Sequence, residues 1–197
     1  MHFNRKPEGF LKILRNGDIA VTFISLPEYL DKKALDLLTT EDYRDYCGIY
    51  VQKKRVQSLQ MRVALREFCA SILELPANDI VIHRKEFGKP WCPQKTKSGE
   101  QVYFSLSHSN TFGALAFSLN RELGIDIEAR QERSNLSAIV RRMFSREEYD
   151  SWKELPEDRM TEAFYRSWTM KEAHGKMHGQ GLQDDLKSFS IVHRFEN

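Results

Sequence analysis

Cysteine is scarce. Cys47, Cys69 and Cys92 are the only three in 197 residues. They are odd in number, widely spaced and form no C-x-x-C pair, which argues against a disulfide framework or a thiolate zinc site and fits a reducing cytoplasm. Long apolar runs are missing as well: no stretch approaches the roughly 20 residues of a membrane-spanning helix. The opening MHFNRKPEGFLKILRNGD lacks the apolar core of a secretion signal. Charge of one sign is also absent, since 30 Lys and Arg stand against 28 Asp and Glu for a net +2. That near balance argues against bulk nucleic-acid binding, although a local basic patch is compatible with it. Low-complexity segments and flexible linkers are not found. The expectation is a soluble cytoplasmic protein with neither membrane nor nucleic acid as partner.

What is present is a globular composition, 41% hydrophobic and 29% charged, long enough for one domain or two small packed halves. The pattern predicts a strand over 18–26 and a helix through PEYLDKKALDLL with Pro27 near its start. A long helix follows over 49–75, with Val56, Leu59, Val63, Phe68 and Ile72 at apolar spacing and Pro76 just past its end. DIVIHR (79–84) reads as a strand and EFGKPWCPQKTKSGEQ as loop. VYFSLSHS, FGALAFSL and ELGIDIE then read as an antiparallel meander, with NRE as one of its turns. Helices are expected at SNLSAIVRRMF, at SREEYDSWKEL with Ser145 as N-cap, and over 158–178, before a loop at GQGLQDDL and a last strand at SFSIVHR. IVIHR (80–84) and SIVHR (190–194) each follow a long helix and a loop. That echo is matched by chance as readily as by an internal repeat; if it is a repeat, the chain is two similar halves with a ligand cleft between them.

The chemistry begins at LGIDIE (123–128). On a strand Leu123, Ile125 and Ile127 share one face, and Asp126 and Glu128 share the other. Two carboxylates about 4 Å apart repel by roughly 1 kcal/mol in water and about 4 kcal/mol in a partly buried site. Either this face is fully solvated or a cation sits between the acids. In FYRSWTMKEAHGKMHGQGL (164–182), Trp168, Glu172 and Lys176 fall at i, i+4 and i+8 of a helix, with Lys171 beside them. An exposed Glu-to-Lys pair at i, i+4 is the ordinary explanation and contributes only about 0.3–0.5 kcal/mol. Read together, Asp126, Glu128 and Glu172 make a hard oxygen set suited to Mg²⁺, with lysines beside it for phosphate charge.

Other positions carry two readings each. FSLSHS (104–109) is either a turn closed by serines with His108 exposed, or an anion contact made by Ser107 and His108. Lys89, in FGKP, is a surface lysine unless a ligand lies beside it. Glu148, in FSREEY, is ordinary helix-start chemistry or a base. The basic run QKKRVQSLQMRVALR (52–66) is a solvated helix face, or a contact for nucleotide phosphate.

FGKP, FSLSHS, GIDIE, FSREEY and WTMKEAHGK…GQGL, in this order, resemble the motifs of the Sfp-type phosphopantetheinyl transferases, over a match running from about Ile49 to the C-terminus. The resemblance implies an α+β pseudo-dimer of two similar halves, 1–119 and 120–197, each a small antiparallel sheet packed with a long helix, with the active site in the cleft between them. It implies transfer of phosphopantetheine from coenzyme A to a serine of an apo acyl, peptidyl or polyketide carrier protein, releasing adenosine 3′,5′-bisphosphate. By the same resemblance, Asp126, Glu128 and Glu172 hold Mg²⁺ (or Mn²⁺), and Lys176 and Lys171 bind pyrophosphate oxygens. Glu148 is the base for the carrier serine, and Ser58, Lys89, Ser107 and His108 face the nucleotide. Relatives carry a basic residue where this chain has Gln57. The acidic surface of carrier proteins points to Arg141, Arg142 and Met143 as their seat, and an internal two-fold points to a monomer. The contrasting reading is a non-catalytic module that binds coenzyme A or carrier proteins. A Mg²⁺-dependent nuclease is disfavoured by the balanced charge.

Overall fold

The computed structural model describes residues 8–179 and 186–191. The long helix is α4, Gln52–Leu73. It stops two residues short of the expected end, because Glu74 adopts a left-handed backbone with φ 55, and Pro76 follows. Its core face carries Met61, Leu65, Phe68, Cys69 and Ile72, all buried. Against this face lies a three-stranded antiparallel sheet in the order β1 (Ala20–Ser25), β5 (Phe112–Ser118), β4 (Tyr103–Ser109). Phe68 stacks on Phe117 at 5.6 Å, and Phe10 from the first helix, α1 (Glu8–Arg15), meets Phe68 at 5.1 Å. Gly113 lets β5 come this near to α4, because a Cβ there would stand 2.2 Å from the Met61 sulfur.

Three expectations change. The helix expected through PEYLDKKALDLL is only α2, Lys32–Asp36, because Asp31 caps it by accepting the Ala34 N–H at 2.7 Å and the preceding residues stay irregular. A separate helix, α3 (Thr40–Cys47), follows behind the capping box of Thr39 and Asp42. DIVIHR contributes just His83–Arg84, β2, paired with β3 at Pro90–Trp91 inside the stretch read as loop. The third strand of the expected meander is not ELGIDIE; β1 takes that place beside β5.

The remaining helices are α5 (Leu136–Met143), α6 (Arg146–Lys153) and α7 (Glu157–His178). Ser145 caps α6 in a capping box with Glu148, as its position predicts. These three helices enclose a second apolar cluster of Val140, Phe144, Trp152, Ala163, Phe164 and Tyr165. The architecture is mixed α+β, with seven helices and both small antiparallel sheets among the described residues. After β5 the described residues form no strand: 188–191 of SFSIVHR are irregular, and 192–194 lie outside the described residues, as does most of GQGLQDDL. No described helix is long and apolar enough to cross a membrane.

Candidate active site

Alternation along β4 places Ser105, Ser107 and Ser109 on one face of the strand. Each holds the 124–129 segment by its hydroxyl. Ser105 Oγ accepts the Ile125 N–H at 3.1 Å, and Ser107 Oγ donates to Asp126 Oδ1 at 2.7 Å. Ser109 Oγ donates to Glu128 Oε2 at 2.8 Å and accepts the Ala129 N–H at 3.0 Å. Partner numbers rise together, so LGIDIE runs in the same direction as β4 and is tied to it by side chains rather than by a backbone ladder. Its other side lies on α7. A Cβ on Gly124 would stand 1.8 Å from the Ala173 carbonyl oxygen, so only glycine allows the segment this close to the helix. This approach brings the acids of 126–128 up to the α7 face carrying Trp168, Glu172 and Lys176.

A cleft of about 470 Å³ results, lined by Ser58, Ser107, His108, Asp126, Glu128, Trp168, Glu172 and Lys176 with Tyr46, Met61, Arg84 and Leu106. A smaller hollow of about 240 Å³ shares Tyr46, Arg84, Leu106 and Lys176 with it and adds Phe87, Lys89 and Gly179. Lys176 Nζ donates to Asp126 Oδ1 at 2.6 Å and to Ser107 Oγ at 2.8 Å. Burial, then the charges of Asp126 and Glu128, raise the proton affinity of Glu172 against the opposing pull of Lys176. Burial and the Lys176 charge hold His108 below the ordinary histidine value, with Glu128 pulling the other way.

The donor set fits a hard divalent cation. Asp126 Oδ2 and Glu172 Oε1 are buried and have no hydrogen-bond partner, an arrangement that costs about 1–3 kcal/mol or more for a charged group unless a cation or water meets it. As placed, no three His, Cys, Asp or Glu side chains among the described residues stand close enough together to hold an ion; Asp126 gives Oδ1 to Lys176 instead.

Eight of the ten candidate residues gather along these two hollows, and two do not. Lys171 is fully buried and makes an ion pair with Glu148 at 2.9 Å. Its ammonium also donates to the Leu186 and Phe189 carbonyls at 2.6 and 2.7 Å. Glu148 Oε2 accepts the Ser145 N–H at 2.7 Å and Oε1 the Ile191 N–H at 2.8 Å. The expected base and the expected phosphate ligand therefore occupy one another, tying α6, α7 and the 186–191 segment together. Lys89 lines the smaller hollow, with its ammonium engaged by Glu122 and, at 2.7 Å, by the Met177 carbonyl. Gln57 turns to the Asn110 carbonyl, while its neighbour Ser58 faces the cleft.

Sequence reasoning missed Arg84 and Tyr46. Arg84 lines both hollows, held by Asp45 at 2.6 Å and lying 5.2 Å from the Tyr46 ring centre. No local pattern marks either residue, because α3 and β2 meet only in the fold. Ser105 and Ser109 were also missed, although the S-x-S-x-S alternation was there to read.

Fold and site together give a mixed α+β protein with an acid- and lysine-lined hollow between a serine-rich strand and a long helix. Residues 122–197 match the family model of the 4′-phosphopantetheinyl transferase superfamily, and residues 28–120 match that of the 4′-phosphopantetheinyl transferase N-terminal region. The chain is 32% identical over 149 residues to the 4′-phosphopantetheinyl transferase Sfp of Bacillus subtilis, covering 75% of this chain and 63% of that protein. It is 25% identical over 177 residues to the transferase gsp of Aneurinibacillus migulanus, covering 88% and 71%. With HetI of Nostoc sp. it shares 30% identity over 134 residues, covering 68% and 56%. The chain belongs to the Sfp-type 4′-phosphopantetheinyl transferase family. It spans less than two thirds of the Sfp and HetI proteins.

Proposed function

We propose that this protein is a 4′-phosphopantetheinyl transferase, moving phosphopantetheine from coenzyme A to a serine of an apo acyl, peptidyl or polyketide carrier protein. The observation that carries this reading is the convergence of Asp126, Glu128, Glu172 and Lys176 on one cleft, with two carboxylate oxygens buried and unpartnered. In the reaction the serine hydroxyl gives its proton to water, its oxygen bonds to the phosphorus bearing pantetheine, and the bond to adenosine 3′,5′-bisphosphate breaks, so that this product leaves with the displaced oxygen. Such transfers need positioning and charge neutralisation more than covalent help.

Asp126, Glu128 and Glu172 would hold Mg²⁺, or Mn²⁺ in its place, which when bound offsets charge on the pyrophosphate. Lys176, already beside Asp126, adds a cation that can turn from carboxylate to phosphate oxygen. Ser58, Ser107, His108, Lys89 and Arg84 line the remaining length and would orient the nucleotide. Burial and Lys176 favour neutral His108, so an arriving phosphate would draw a proton onto the ring. Glu148 and Lys171 act in this proposal as a brace for α6 and α7. The two apolar clusters support a division into halves at 1–119 and 120–197 with the cleft between them. Arg141 and Arg142 on the exposed side of α5 offer cations to an acidic carrier, and we place the protein in the cytoplasm as a monomer.

The test is the intact mass of a purified apo carrier protein after incubation with this protein, coenzyme A and Mg²⁺. A phosphopantetheine mass increase that EDTA abolishes is the expected result. Coenzyme A binding without any mass increase across acyl, peptidyl and polyketide carriers would replace the reading with a binding module.

A further inference from the structure

The last turns of α7 carry a histidine pair that the proposed reaction does not use. His174 and His178 are four residues apart on the helix, so they share a face. Their Nε2 atoms stand 3.2 Å from one another, with ring centres 4.4 Å apart. Nδ1 of His174 is buried without a partner, so Nε2 is the engaged nitrogen of that ring. The ring itself is fixed in place by Phe189, 4.4 Å away between centres.

At this distance the two nitrogens can share a proton in an N–H···N hydrogen bond, or share a metal ion. Nitrogens held about 2.0–2.1 Å from a tetrahedral zinc ion lie about 3.3 Å apart, and the pair matches that span without any movement of the helix. We propose that His174 and His178 form a binding site for a borderline-soft divalent transition cation of the zinc class, separate from the carboxylate set of the cleft. The two imidazoles fill two tetrahedral positions and water fills the others. His178 is exposed, so the site is open to entry from solvent. Imidazole nitrogen selects such cations over Mg²⁺, which prefers hard oxygen donors.

The site sits on the turn that supports Lys89. The Met177 carbonyl accepts from Lys89 Nζ at 2.7 Å, and a Cβ on Gly179 would meet the Lys89 chain at 3.2 Å. An ion bridging residues 174 and 178 clamps this turn, and with it the seat of the lysine that lines the smaller hollow.

The experiment is calorimetric titration of the full chain with Zn²⁺ alone, in a large excess of Mg²⁺, beside the variants His178→Ala and Asp126→Ala. His178 is solvent-exposed, so its removal is expected to leave the fold intact, which circular dichroism of the variant checks. The expected result is one Zn²⁺ per chain, unchanged by Asp126→Ala and weakened roughly tenfold or more by His178→Ala, since even changes outside the ligand shell cost about that much. The proposal is overturned if wild type shows no Zn²⁺ binding, which identifies a proton-sharing pair. It is overturned equally if His178→Ala binds as tightly as wild type, or if Asp126→Ala alone abolishes binding.

Discussion

Two lysines five residues apart on α7 each face a carboxylate, and they live in different worlds. Lys171 has no exposed side-chain surface, and its partner Glu148 has 4%. Every donor of that ammonium is spent inside the protein, on a carboxylate and two carbonyls. Lys176 keeps 31% of its side-chain surface and bonds Asp126, whose second oxygen is left without a partner. A saturated pair is architecture. A pair with unspent capacity, open to a cleft, can change partners when a ligand arrives.

The sharpest way to test this contrast is to delete each lysine. Lys171→Ala leaves Glu148 buried and unpaired, which costs about 3–5 kcal/mol; thermal unfolding should show a fall of about 10 °C for a chain of this size. Lys176→Ala should melt closer to wild type than Lys171→Ala, since its ammonium is partly exposed and Asp126 keeps the Ser107 hydroxyl as a donor when the lysine is gone. Equal melting temperatures for the two variants would remove the distinction. The next effect is on turnover. Asp126→Ala should lower transfer to a carrier protein by about 100-fold or more while circular dichroism stays native, a loss on the scale of removing one electrostatic contact to the reacting group; undiminished transfer would free Asp126 from the reaction.

Smaller effects refine how the open pair is held. Gly124→Ala should destabilise by about 1–3 kcal/mol, because the new methyl overlaps the Ala173 carbonyl and pushes the acids away from α7. Denaturant melts measure the first consequence and coenzyme A affinity the second. The weakest effect is that of pH through His108. Its folded value lies below the ordinary 6.5, so the unfolded chain takes up the proton first on acidification. Its contribution is therefore fully present above about 6.5 and declines as the pH falls through the lower folded value. His108→Gln should flatten stability between pH 7 and 5 if this is right, and leave the slope unaltered if burial does not depress the group.

Much of the fold was legible because it is local. The α4 pattern, the stop before Pro76, the β4 and β5 runs and the Ser145 cap each depend on residues within a few positions of one another. LGIDIE misled for a physical reason: alternation fits an extended segment whether its backbone is paired to a strand or, as here, only its flank is held by serine hydroxyls. Arg84 and Tyr46 left no trace because their meeting depends on where α3 and β2 come to rest. Glu148 and Lys171 carry motif residue types, and type alone does not distinguish a base from a brace.

What the sequence by itself determined is the inventory: the acids, lysines, serines and glycines in family order, and the helices that bear them, because propensity, capping and periodicity are short-range. What only the tertiary structure decided is which charges are spent. Saturation of an ammonium or a carboxylate is a count of partners arriving from distant segments, and burial of those partners sets whether the pair is fixed or free to meet a ligand.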